Sequence, residues 1–213
     1  MQQSYFSSSD IINMEQRKRT AFINSLSGFK SASLIGSVDS TGNHNLAVFS
    51  SVVHIGSNPP LIGFISRPDT TSRHTLENIL DTKCFTVNHV HSGIYKQAHQ
   101  TAARYDRHIS EFEATGLTPE FSEKIMAPYV KESRIKFGIS FAEKHHLTIN
   151  GTILVIGKIE EVFFPPHCLL QDGTLDIEKA ETIAVSGLDS YHHTQRLSRL
   201  TYAKPHSFPE EIP

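Results

Sequence analysis

Cysteine is scarce in this chain: Cys84 and Cys168 are the only two in 213 residues. That is too few for a disulfide framework, and they lack the paired spacing of a metal motif. An excess of charge is missing too, since 20 basic against 22 acidic residues leave a net charge of −2. No global field therefore draws the protein to nucleic acid or to an anionic membrane. Arg17, Lys18 and Arg19 form a short basic run that a solvated helix face explains better than a binding patch. No apolar run reaches the roughly eighteen residues of a membrane span, and the polar N-terminus is not a signal peptide. A reduced, cytoplasmic protein is the expectation. The chain also lacks a Gly-x-Gly-x-x-Gly dinucleotide fingerprint, a Gly-x-Ser-x-Gly elbow, internal repeats and low-complexity linkers.

What is present is enough for one large domain, with 38% hydrophobic residues to fill a core. Residues 1–12 are polar and serine-rich, which predicts a flexible arm. The domain proper is expected over 13–205, with 206–213 as a tail. Asn13 and Gln16 have capping-box spacing for a helix that runs to Leu26 and would place Ala21, Phe22 and Leu26 on one apolar side. Strands are predicted over 32–38, 44–55, 61–66 and 84–90. Helices are expected over 75–80 and 93–104, and from Ser110 to a glycine stop at Gly116. Asn150 and Gly151 separate two long β segments, 135–147 and 152–164, as a hairpin turn would. Asp172 and Gly173 mark a further turn, and 197–203 a last short strand. Many strands with a few short helices argue for a mainly β, α+β architecture: a β-barrel with helical insertions.

The chemistry concentrates between residues 45 and 88. Two apolar strands feed a loop that holds Arg67, Thr70, Thr71, Ser72, Arg73, His74 and Thr75, and a short helix leaves it. Two guanidinium groups can match the charge of a phosphate ester, about −1.5 to −2. Hydroxyls and the N–H groups at a helix start can meet its oxygens. Taken singly, Arg67 and Arg73 read as surface ion-pair partners and Ser50 and Ser51 as polar strand edge. The hydroxyl-rich loop opening a helix favours anion binding instead. Thirteen histidines invite a metal, yet none falls into a ligand spacing that matches a known site. Unpaired surface or interface histidines are the simpler reading, and no metal ligand is assigned. Cys84 sits within a strand pattern as an inert thiol, and Phe163 and Phe164 read as core.

The order of these residues resembles the flavin reductase-like family with the FMN-binding split barrel. The resemblance rests on Asn45, Phe49, Ser50, Ser51, Asn58, Pro59, Pro60, Arg67, Ser72, Arg73, His74, Thr75, Asn78, Ile79 and the run Phe85, Thr86, Val87 and Asn88. It continues through Ser110, Glu111, Phe112, Glu113, Gly116, Leu117, Thr118 and Pro119. Further matches are Gly157, Lys158 and Ile159, then Asp172 and Gly173, and last Gly187, Leu188, Asp189 and Tyr191. It implies a homodimer with FMN at or near the subunit interface. Phe49, Ser50 and Ser51 would meet the isoalloxazine, partly through main-chain groups near its N5 and O4. Arg67, Ser72, Arg73 and Thr75 would hold the phosphate. His74 would touch the phosphate or face water, Asn45 would contact the ribityl chain or ring, and Tyr191 would reach the partner subunit. Members often carry lysine then aspartate where this chain has Arg73 and His74; arginine keeps the charge and adds a bidentate fork.

The implied activity is NAD(P)H-dependent reduction of flavin, with hydride passing from nicotinamide C4 to flavin N5. Such a step asks for stacked rings with reacting atoms about 3–3.5 Å apart and a donor near N5 or O4. The main chain at Ser50 and Ser51 is the candidate donor. FMN is the expected flavin and FAD the alternative, with NADH or NADPH as donor and a partner oxygenase as one outlet for the reduced flavin. Two other classes stay open: an FMN-binding protein without turnover, and a histidine-dependent metal enzyme.

Overall fold

The computed structural model describes residues 3–212; Met1 and Gln2 of the expected arm and Pro213 of the tail lie outside the described residues. Seven strands form the main sheet: β1 (Ser33–Val38), β2 (His44–Phe49), β3 (Val53–Ser57), β4 (Pro60–Ser66), β5 (Cys84–His89), β6 (Lys136–Leu147) and β7 (Thr152–Phe163). Their order across the sheet is β2-β1-β5-β6-β7-β4-β3, with antiparallel pairing throughout. This is the mainly β barrel with helical insertions that the sequence predicts.

Strand period explains how β1 serves core clusters on both faces of the sheet. Successive residues of β1 point to opposite faces, and every one of its six is buried. Ile35 faces inward with Phe64, Phe85, Val87, Phe137, Ile139, Ile153 and Val155. Helix α3 (His74–Thr82) adds Leu76 and Ile79 to that interior. Leu34, one residue earlier, faces outward with Leu46. There it meets Ile94 and Ala98 at the start and on the inner side of α4 (Tyr95–Gln100), and Phe112 of α5 (Glu111–Thr115). A strand buried on both faces reads as a continuous apolar run rather than an alternation.

Long β6 and β7 wrap because their ladder slips twice, after Ile156 and after Ile159, leaving Ala142 and Glu160 without a direct partner. Such bulges bend and twist a strand. Gly157 sits at the first slip, where an added Cβ would lie 2.3 Å from Ile139 Cγ2 and 2.8 Å from the Ser140 carbonyl oxygen.

Several expectations need correction. The stretch 44–55 is not one strand: pairing stops at Phe49 and resumes at Val53. Within the expected arm lies helix α1 (Ser8–Asn13), capped reciprocally by Ser7 and Asp10. Helix α2 (Gln16–Leu26) is capped by the Glu15 carboxylate, which accepts from Arg17 N and Lys18 N at 3.0 Å each, not by Asn13. No residue of α2 is buried, and Phe22 meets the Phe6 ring edge-on at 5.5 Å. Ala102 falls beyond α4 and is exposed, and Phe163 is half-exposed against Tyr129. The last strand shrinks to Arg199–Leu200 against Glu211–Ile212. Among the described residues, no helix is long and apolar enough to cross a membrane.

Gly157→Val should lower unfolding free energy by about 2–3 kcal/mol, because the backbone carbonyl it meets cannot move aside. Urea unfolding measures this, and an unchanged midpoint would mean that the bulge tolerates a side chain.

Candidate functional site

The edges of the sheet are β2 and β3, which follow one another in the chain. Residues 50–52 carry the backbone across the split between them, outside either strand. Ser51 pins this link. Its hydroxyl donates to the Ile65 carbonyl at 3.2 Å and accepts from Ile65 N–H at 3.1 Å, standing in for a missing ladder rung beside β4. The Val52 carbonyl accepts from the Ser31 hydroxyl at 3.3 Å.

A cleft of about 580 Å³ opens at the split, and all nine residues singled out in the sequence line it: Asn45, Phe49, Ser50, Ser51, Arg67, Ser72, Arg73, His74 and Thr75. That volume suits a cofactor-sized ligand. Phe49 is held edge-on to Phe64 at 4.9 Å, so its position is fixed by the barrel core. Arg67 and Arg73 form no ion pair among the described residues. The Arg73 Nε donates to the Pro68 carbonyl at 3.0 Å, which orients the guanidinium and leaves its two terminal nitrogens for a ligand.

Asn45 and Ser72 also bond within the protein. Asn45 is 7% exposed and its amide is committed to the Thr75 hydroxyl at 2.9 Å and the Ser37 hydroxyl at 3.3 Å. It thus fixes Thr75 in the first turn of α3 from behind. The Ser72 hydroxyl donates to Glu77 Oε1 at 2.8 Å, and the Arg73 N–H donates to the same oxygen at 2.8 Å. Burial pushes the Glu77 carboxyl up, but these bonds and the Arg107 guanidinium outweigh it and hold the group below its ordinary range. Tyr191 lies outside the cleft: its hydroxyl bonds His99 Nδ1 at 3.0 Å, and it lines a separate cavity of about 220 Å³ with Tyr95.

A profile of the flavin reductase like domain matches residues 26–178. The chain belongs to that family. A split-barrel protein of Shewanella frigidimarina NCIMB 400, classed as a flavin reductase, is 53% identical, with a TM-score of 0.91 over 94% of this chain and 100% of that one. Nitrilotriacetate monooxygenase component B of Bacillus cereus shares the fold at a TM-score of 0.82 and 22% identity, over 94% of this chain and 100% of its own. An uncharacterized protein of Aquifex aeolicus (strain VF5) is 34% identical over 105 residues, 48% of this chain and 54% of that protein. The chain therefore spans about half the length of that relative.

The donors present fit the family's flavin: free guanidinium nitrogens and a helix start at one end of the cleft, an aromatic ring and the open backbone of the split at the other. Among the wall residues that sequence reasoning missed are three with charged or aromatic side chains. Arg104 and Tyr105 reach the cleft from the stretch after α4, where nothing in the sequence points inward. Glu111 also lines it, 6% exposed, accepting from Leu46 N–H at 2.9 Å. Burial raises its pKa against that bond and the charge of His74. Its matched stretch, with Ser110 and Phe112, was the available signal.

The histidines are less idle than expected. His89 is held near a pKa of about 4 by burial and meets the Thr182 hydroxyl, while His91 bonds the Glu132 carbonyl and His192 the Ser186 hydroxyl. No three metal-ligating side chains gather among the described residues.

Glu111→Ala orphans the buried Leu46 N–H and should cost about 1–3 kcal/mol of stability. Glu111→Gln keeps an acceptor there and should cost clearly less. Equal losses in a denaturant titration would show that the bond across to β2 contributes nothing.

Proposed function

We propose that the protein is an NAD(P)H-dependent flavin reductase that holds FMN in the cleft at the barrel split. The observation that carries this is the meeting, in one cleft, of the nine residues, with Arg67 and Arg73 free of ion pairs. FMN, when bound, would supply the two-electron chemistry, with a reduced nicotinamide as the hydride donor. The protein's part is binding and orientation. Arg67 and Arg73 grip the phosphate, joined by Thr75 and the first turn of α3. Phe49 shapes the ring end, and the main chain at Ser50 and Ser51 supplies donors towards the ring's polar edge. His74, at the first position of α3, adds a polar contact at the phosphate end.

With no dinucleotide fingerprint in the sequence, the nicotinamide is expected to bind transiently over the flavin rather than in a domain of its own. The proposal includes a homodimer, which is supported by the exposed apolar residues Val53 and Ile55 on edge strand β3. It also includes a partner oxygenase as one acceptor of the reduced flavin.

Anaerobic mixing of the FMN-loaded protein with NADH, and separately with NADPH, should bleach the flavin absorbance within seconds. A yellow protein inert to both would point to flavin binding without turnover. Arg73→Ala should weaken FMN binding by about 1.5–3 kcal/mol, the loss of a charge-assisted hydrogen bond. An unchanged dissociation constant would remove Arg73 from the phosphate site.

A further inference from the structure

Arg107 does not line the cleft, yet it joins two of its walls. It lies in the stretch that follows Arg104 and Tyr105, and its guanidinium reaches three acceptors on other elements. Nη1 pairs with Glu77 Oε2, Nη2 donates to Asn78 Oδ1 at 3.0 Å, and Nε lies 3.8 Å from Asp39 Oδ2. Glu77 and Asn78 belong to α3, and Asp39 opens the β1–β2 turn.

The Glu77 carboxylate is divided between two tasks. One oxygen takes Arg107; the other takes the Ser72 hydroxyl and the Arg73 N–H, two of the loop's donors. It therefore holds the loop against the start of α3, and it sets a negative charge directly behind Ser72 and Arg73, two residues that line the cleft. A like charge within a few ångströms opposes anion binding. Arg107 offsets that charge and ties the 101–109 stretch to the loop's own helix.

We propose that Arg107 is a positioning residue for the phosphate group of the ligand, acting through Glu77. This deepens the FMN reading and rests on it. The guanidinium offsets the charge of Glu77, the α3 carboxylate that holds the loop, and fixes the spacing of the two walls, so that the remaining donors of Arg67 and Arg73 meet phosphate in a preformed site.

The test titrates FMN and riboflavin, which lacks the phosphate, into wild type, Arg107→Gln and Arg107→Lys, following flavin fluorescence. In Arg107→Gln the FMN dissociation constant should rise about tenfold, while that of riboflavin changes less than about twofold. Arg107→Lys keeps the charge without reaching all three acceptors and should recover part of the FMN preference. A parallel loss for both ligands, or an FMN-to-riboflavin ratio equal to that of wild type, overturns the proposal. Should Arg107→Gln fail to fold, the lysine variant carries the same comparison, with an unaltered ratio overturning it. A wild type with no preference for FMN over riboflavin would sink the phosphate reading itself, and this inference with it.

Discussion

The main sheet ends in two strands that are consecutive in the chain, and most of the site follows from that. A barrel closes fully only when its first and last strands pair; here β2 and β3 are joined by three residues and stay apart. Unpaired edges are normally covered or blunted. At this split the Ser51 hydroxyl replaces one rung by bonding both main-chain groups of Ile65. The backbone on either side of that pin is left outside the ladders, at the mouth of the cleft. A barrel closed without a split would have spent those groups on its own sheet.

Charge is arranged around the same opening. The cleft carries Arg67, Arg73 and Arg104, while two carboxylates at or behind its walls, Glu77 and Glu111, are each kept occupied. Glu77 is divided between Arg107 and the loop's donors, and Glu111 accepts from the main chain of β2. Among the side chains that line the cleft, Arg67, Arg73 and Arg104 form no ion pair among the described residues. That asymmetry, rather than the count of arginines, makes the end of the cleft suited to an anion, because a guanidinium already paired with a carboxylate has little left to offer.

The loop from Arg67 to Thr75 was legible because its signal is local: hydroxyls, two cations and a helix start lie within nine residues. The α5 stop at Gly116, with a left-handed φ of 72°, was legible for the same reason. The break inside 44–55 was not, since residues on both sides of Ser50 and Ser51 have strand character and only the failure of a partner to arrive ends the pairing. Helix α2 misled in the opposite way. Its apolar residues promised a packed side, but none of its residues is buried, and Leu26 stays largely exposed. Its cap was misplaced because Glu15, which binds two N–H groups, outcompetes the better-known side chain two residues earlier.

By itself the sequence determined the mainly β architecture, the long hairpin turn at Asn150 and Gly151, and the grouping of cations and hydroxyls in the loop from Arg67 to Thr75, because periodicity and turn residues act over a few positions. Tertiary structure alone decided which donors are already engaged: Asn45 bonds Thr75, Ser72 bonds Glu77, and Arg107 spans thirty residues to reach that same carboxylate. Such pairings depend on how far apart two side chains lie once the barrel has curled. Distance through space is a property that no local pattern encodes.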